Sequence, residues 1–266
     1  MKTPPTSIAL GYAHNFVEVF DLPQNPFEIP LEENHLLVED SLSKFRLKYS
    51  VQSEEHCTVF CGRFHNNTLE DLWFVSGTVF CHALIWKVHH EAGVEAPVVK
   101  SLVGHEGILF GIRWSDDGKS VCTVSDDRTI RVWDITNPTT MYVKKYGLAE
   151  QRYAPLASAT DIFPSPFSTH STHFGHSARV WDCQIVGQYL ISISEDASCR
   201  VWRNPLLSKI SEKDDMSDCL ACWEGHEGKS AWSVAVSDHG VVATGGGDGG
   251  IHLWRLDSIV AGTTGK

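Results

Sequence analysis

His105, Thr123 and Asp127 have the side chains of a hydrolytic triad: an imidazole base, a hydroxyl nucleophile and a carboxylate to orient the base. The same set returns as His176, Ser192 and Asp196, and again as His226, Thr244 and Asp248. Each copy ends in a tryptophan: Trp133, Trp202 and Trp254. From Thr123 to Asp127 to Trp133 the steps are 4 and 6 residues, and both other copies repeat them. An enzyme needs one activated nucleophile beside one substrate pocket, so a constellation repeated three times with a Trp attached argues for a structural role.

Two further motifs imitate chemistry. The run Thr244-Gly245-Gly246-Gly247-Asp248-Gly249-Gly250 contains a GxGxxG string, but a dinucleotide or S-adenosylmethionine loop must open a helix whose N-terminus meets the anion. Here Ile251-His252-Leu253-Trp254 follows, in register with Ile130-Arg131-Val132-Trp133, and reads as a strand. Cys219 and Cys222 make a CxxC with His226 beyond it, yet no second Cys/His pair at ligand spacing completes a four-ligand zinc site. His89-His90 reads as a solvated loop pair. No catalytic, cofactor or metal residue is assigned, and no cofactor is expected.

The elements that position these residues are short antiparallel strands. Segments beginning at Gly104, Gly175 and Gly225 share a Gly-His pair, an alternating strand, a Gly-containing turn, a second strand, an acidic tight turn and a strand ending in Trp. Two degenerate copies precede them. Residues 72–77 with 83–86 fit the second half of such a unit, with Phe80 at the acidic position, and residues 8–20 fit another, with Phe20 in place of Trp. From Phe20 to Trp86, Trp133, Trp202 and Trp254 the steps are 66, 47, 69 and 52 residues, longer than a roughly 40–45-residue repeat requires. Insertions at 136–172, rich in Pro and Ser, and at 204–221, with charged Ser211–Asp215, account for the excess.

The 266 residues are 42% apolar, enough for a substantial core, and no apolar run reaches the roughly 18 residues of a membrane span. With 22 Lys and Arg against 33 Asp and Glu, the net charge of −11 argues against a surface that wraps nucleic acid. Eight scattered cysteines inside strand-like runs read as free thiols in a reducing compartment. No membrane insertion and a cytoplasmic location are expected.

The Gly-His and Trp-ending motifs resemble the WD-repeat family, which implies an all-β chain of β-propeller blades, about four complete and one partial, in an open or incomplete propeller. The expected division is a single domain over 1–266, with a partial blade at 1–40 and blades near 41–90, 98–136, 172–204 and 222–256. In that family the recurring residues form a buried hydrogen-bonded tetrad, here His105/Thr123/Asp127/Trp133, His176/Ser192/Asp196/Trp202 and His226/Thr244/Asp248/Trp254. The resemblance also puts the Gly-His loops and acidic turns on one face, so Glu106, Arg128, Ser177, Arg179, Glu195, Glu227 and Lys229 are candidates for a partner surface. The order of motifs, from FVSGTVF through GHEGILFGIRW and GHSARVWDC to ATGGGDGGIHLW, is similar to WD-repeat subunits that accompany tRNA ribose 2′-O-methyltransferases. That likeness implies a non-catalytic partner of an S-adenosylmethionine-dependent enzyme acting at the anticodon wobble nucleotide, with indirect or weak tRNA contact. Members of that group are longer, so a piece or a shortened form of such a subunit is expected. The competing reading is a general adaptor in a membrane-trafficking or ubiquitin-ligase complex.

Overall fold

The fold was obtained as a computed structural model, which describes residues 6–22, 45–66, 68–88, 93–136, 169–173, 175–204 and 219–260. Among these residues there are five antiparallel sheets in chain order. The first holds β1 (Ser7–Tyr12), β2 (Phe16–Asp21) and β3 (Arg46–Gln52). The second runs β4 (Val59–His65), β5 (Trp73–Thr78), β6 (His82–Lys87) and β7 (Val98–Val103). The third runs β8 (Leu109–Trp114), β9 (Ser120–Ser125), β10 (Ile130–Asp134) and β11 (Thr169–His173). The fourth is β12 (Val180–Val186), β13 (Tyr189–Ser194), β14 (Ser198–Arg203) and β15 (Cys219–Glu224). The fifth is β16 (Ala231–Val236), β17 (Val241–Gly246) and β18 (Ile251–Arg255). Among the described residues helix is confined to single turns at Leu69–Asp71 and Asp257–Val260, and none is long and apolar enough to cross a membrane.

Sheet boundaries fall differently from the repeat boundaries. Arg46–Gln52, expected to open the second blade, pairs with β2 and closes the first sheet. Val98–Val103, expected with the third, pairs with β6. Thr169–Thr172, expected inside the first insertion, belong to β11, the outer strand of the third sheet. The reason is an offset of the chain: each Gly-His loop lies between the outer strand of one sheet and the inner strand of the next, so the sequence unit straddles two sheets. Cys219–Ala221, expected inside the second insertion, belong to β15 and pair with β14; the rest of the expected insertions, 137–168 and 205–218, and His89-His90 lie outside the described residues.

Packing follows from strand alternation with both faces buried. Around each aromatic that ends a third strand, the residues three and one before it point the other way. Val17 and Val19, Ala83 and Ile85, Ile130 and Val132, and Cys199 and Val201 therefore form one side of the contact with the next sheet. Trp86, Trp133 and Trp202 point back to the preceding sheet, and each is at most 1% exposed. The result is four apolar seams, one between each consecutive pair of sheets. The series does not close on itself. At the equivalent positions of β18, Ile251 and Leu253 are 78% and 68% exposed, and Ile8, Leu10 and Tyr12 on β1 are exposed at the other end. All eight cysteines are free, and burial pushes the Cys61 thiol up to about 12, which keeps it an unreactive packing group.

Candidate functional site

The tight turn before the strand that carries the aromatic is built alike in all five sheets: it joins β1 to β2 in the first sheet and the second strand to the third in the others. Five residues before the aromatic, Asn15, Cys81, Arg128, Ala197 and Gly249 all take left-handed backbone conformations, with φ of 57°, 66°, 66°, 68° and 77°. In the last three sheets, the aspartate of this turn and a hydroxyl residue of the second strand hold the preceding Gly-His loop. His105 Nδ1 lies 2.7 Å from Asp127, His105 Nε2 lies 2.7 Å from the Thr123 hydroxyl, and the Trp133 indole N–H donates to that hydroxyl at 2.8 Å. In the fourth sheet the His176–Asp196, His176–Ser192 and Trp202–Ser192 distances are 2.9, 2.8 and 2.8 Å. In the fifth, His226 lies 3.0 Å from Asp248 and 2.9 Å from Thr244, which accepts from Trp254 at 3.2 Å.

Protons run one way along each chain: the indole donates to the hydroxyl, the hydroxyl to Nε2, and Nδ1–H to the carboxylate. The carboxylates of Asp127 and Asp196 also accept the backbone N–H of Glu106 and Ser177, both at 3.0 Å. Thr123 and Ser192 are fully buried with their hydroxyls in these chains, which leaves a substrate no face to approach. The glycine before each histidine is a packing requirement. A Cβ there would lie 3.2 Å from the Trp133 ring at Gly104, 2.8 Å from Trp202 at Gly175 and 2.9 Å from Trp254 at Gly225.

The second sheet departs from this pattern. Phe80 stands at the acidic position with its ring 63% exposed, and the Ser76 hydroxyl donates to the Leu84 carbonyl. The Trp86 N–H instead reaches Asn15 Oδ1 at 3.1 Å, in the first sheet, and Asn15 Nδ2 donates onward to the Glu55 carbonyl at 3.0 Å. Asn15 is fully buried, so this tie between sheets replaces the tetrad. Its sequence signal was the αL-tolerant Asn of a tight turn, but the partner is 71 residues away.

The tetrads make stability fall on acidification. Burial holds the His105 and His176 rings below their ordinary range, so each stays neutral and donates to its carboxylate. An unfolded chain takes up protons at these rings below about pH 6.5, which the folded chain resists, so stability declines as pH falls through that value. Asp127 and Asp196 are buried, which opposes ionisation, but hydrogen bonds from His, from Thr129 or Ser198 and from backbone hold both carboxyls well below the usual range. Their contribution is lost below about pH 4, where the unfolded carboxyls protonate. The urea midpoint is therefore expected to be flat from pH 8 to 7, lower at 5.5 and lower again at 4. A midpoint that rises between pH 7 and 5.5 contradicts this assignment.

All seven candidate surface residues are exposed at the edge formed by these loops and turns. Two of them pair with each other. Arg179 Nε lies 2.6 Å from Asp126 and 3.8 Å from Glu195, bridging the turns of the third and fourth sheets, so its charge is already engaged. Sequence reading missed the aromatic feature of the same edge. Each inner strand carries a bulge at its second residue, where register shifts between Val59 and Cys61, Leu109 and Gly111, Val180 and Asp182, and Ala231 and Ser233. The residues passed over are Phe60, Phe110, Trp181 and Trp232, all aromatic. A bulge turns its extra side chain out of the regular pleat. Phe60 and Trp232 are 57% and 64% exposed. Ring centroids lie 5.8 Å apart from Phe60 to Phe110 and 4.7 Å from Phe110 to Trp181. Backbone bonds Val79 N to Thr58 O, Asp126 N to Ile108 O, Glu195 N to Arg179 O and Gly247 N to Ser230 O fasten the turns beside these bulges, so turn residues and aromatics share one rim. The available signal was an aromatic five or six residues after each Gly-His histidine.

A rim with an aromatic centre and charged margins has the make-up of a protein-docking surface. The family profile described as "WD domain, G-beta repeat" matches residues 96–134, 167–203 and 217–255. The chain is similar to the tRNA (34-2'-O)-methyltransferase regulator WDR6 of Homo sapiens, 27% identical over 209 residues, which is 77% of this chain and 16% of that protein. The Mus musculus protein of the same name is 26% identical over 86% of this chain and 18% of its own length. The nuclear distribution protein PAC1 of Saccharomyces cerevisiae is 37% identical over 113 residues, 42% of this chain and 18% of that one. The chain thus spans about one sixth of the curated relatives it matches over most of its own length.

Proposed function

Since this is a chain of WD40 repeats arranged as an open series of propeller blades, we propose that it is a non-catalytic docking subunit for a tRNA ribose 2′-O-methyltransferase acting at nucleotide 34, working in the cytoplasm. The observation that carries the reading is the likeness to the methyltransferase regulators, which extends over 77% of the chain and so reaches beyond the repeats that many unrelated assemblies share. The rim supports a role in docking: its exposed aromatics lie beside turns fastened by backbone bonds, and by a tetrad in the case of Trp232, so little ordering cost falls on the bound state. The enzyme supplies S-adenosylmethionine chemistry, and the subunit supplies binding surface. Phosphate contact from this chain is weak, because a net charge of −11 opposes the clustered cations that tRNA binding requires.

The test is copurification of the tagged chain from its native cells, with the recovered material assayed for ribose methylation at nucleotide 34. Recovery of a methyltransferase whose activity falls when the chain is depleted supports the reading. Recovery of coat, ligase or motility components without methyltransferase replaces it with the adaptor reading, and methyl transfer by the rigorously purified chain alone overturns the non-catalytic assignment.

A further inference from the structure

We propose that His226, Asp248 and His252 form a binding site for a divalent transition metal of the Zn²⁺ class on the fifth sheet. Their ligand atoms lie within 4.8 Å of one another. His226 Nδ1 is 3.0 and 3.2 Å from the two Asp248 oxygens, and His252 Nε2 is 3.7 Å from Asp248 Oδ2. Two donors bound at about 2.1 Å to one ion stand roughly 3.0 Å apart at octahedral corners and roughly 3.4 Å apart at tetrahedral ones. The separations from the Asp248 oxygens bracket that range, and the two imidazole nitrogens, within 4.8 Å of each other, reach it by movement of the His252 side chain.

Comparison with the sister tetrads shows why only this one qualifies. Beside His105 and Asp127 stands Thr129, whose hydroxyl lies 3.2 Å from the imidazole and donates to the carboxylate at 2.6 Å. Ser198 does the same beside His176 and Asp196. In the fifth sheet the equivalent residue is Gly250. A Cβ there would lie 3.3 Å from both Asp248 oxygens and from His252 Nε2, so the glycine leaves space among the prospective ligands. Two residues on, the sister sheets have Arg131 and Arg200, and the fifth sheet has His252. One difference removes a competing hydroxyl; the other replaces a permanent cation with a neutral nitrogen ligand.

The surroundings fit as well. A cleft of about 400 Å³ lined in part by Glu224, His226 and Glu227 lies beside the His226 ligand, and its two glutamates carry the charge to attract a cation. The other nitrogen of His226 faces the Thr244 hydroxyl, which fixes the ring as outer-shell partners of metal-binding histidines do. Binding balances as a change of tautomer: the proton of neutral His226 moves from Nδ1 to Nε2, where it is donated to the Thr244 hydroxyl, and the freed Nδ1 lone pair takes the ion with no net release of a proton.

The experiment titrates the chelator-treated chain with Co²⁺, followed by its visible d–d absorption, and with Zn²⁺ as competitor. The expected result is one saturable site displaced by Zn²⁺. His252→Arg and Gly250→Ser install residues the sister sheets already hold at these positions, and each is expected to weaken binding about tenfold or more with no lowering of the circular-dichroism melt of the metal-free chain. Absence of a saturable band, retained affinity in either variant, or an intense sulfur-to-cobalt band placing the ion on the cysteines overturns the proposal.

Discussion

Asp127→Ala is expected to lower stability by about 3 kcal/mol. The carboxylate accepts four hydrogen bonds: from His105, from the Glu106 N–H, and from the backbone N–H and hydroxyl of Thr129. Its removal strands these donors in a place where the imidazole is closed to water, and each stranded group costs about 1–3 kcal/mol before relaxation. Asp196→Ala should match it, since His176, the Ser177 N–H and Ser198 meet Asp196 in the same way. Asp248→Ala should cost less, because Gly250 contributes only a backbone N–H and the third strand beside it is exposed on one face. Asp127→Asn keeps an acceptor and should fall between wild type and Ala. In a chain of repeats the damage stays local, so hydrogen exchange should speed up in the third sheet and the adjoining halves of its neighbours before the fifth responds. Equal urea midpoints for wild type, Asp127→Ala and Asp196→Ala would show that the tetrads do not stabilise the fold.

What was legible in the sequence, and what was not, follows from the range of each interaction. The tetrads could be read because their hydroxyl, carboxylate and Trp come from adjacent strands at fixed spacing, and the histidine recurs at the Gly-His position. The Asn15–Trp86 tie could not: it replaces a missing carboxylate with a side chain from another sheet, and no local pattern records such a substitution. Sheet membership was misjudged for a related reason. Arg46–Gln52 and Val98–Val103 precede Gly-His-like loops in sequence, but their backbone partners lie behind them in β2 and β6. Exposure of the terminal faces was legible from blade number, since Ile251 and Leu253 occupy positions that are buried in every earlier sheet. The aromatic rim escaped because Phe110 and Trp181 sit inside apolar runs. Only the bulge, a property of strand pairing, turns them to the edge.

That rim leads to the second large effect. Trp232→Ala and Phe60→Ala should each weaken the captured partner's affinity by about 30-fold, equivalent to about 2 kcal/mol, because large exposed aromatics that become desolvated at an interface carry a disproportionate share of binding energy. Both rings are more than half exposed in the free chain, so the same substitutions should leave its stability within about 0.5 kcal/mol. Phe110→Ala differs in kind: its ring contacts both Phe60 and Trp181, and losing it should cost stability and affinity together. Arg179→Ala is the contrasting charge variant. Its guanidinium already faces Asp126 and Glu195 on the exposed surface, so affinity should change by less than about threefold and mainly through the association rate. Calorimetry with the copurified partner separates the cases. If Trp232→Ala and Phe60→Ala bind as wild type does while Arg179→Ala fails, docking depends on the charged turns, and the aromatic ladder only packs the inner strands together.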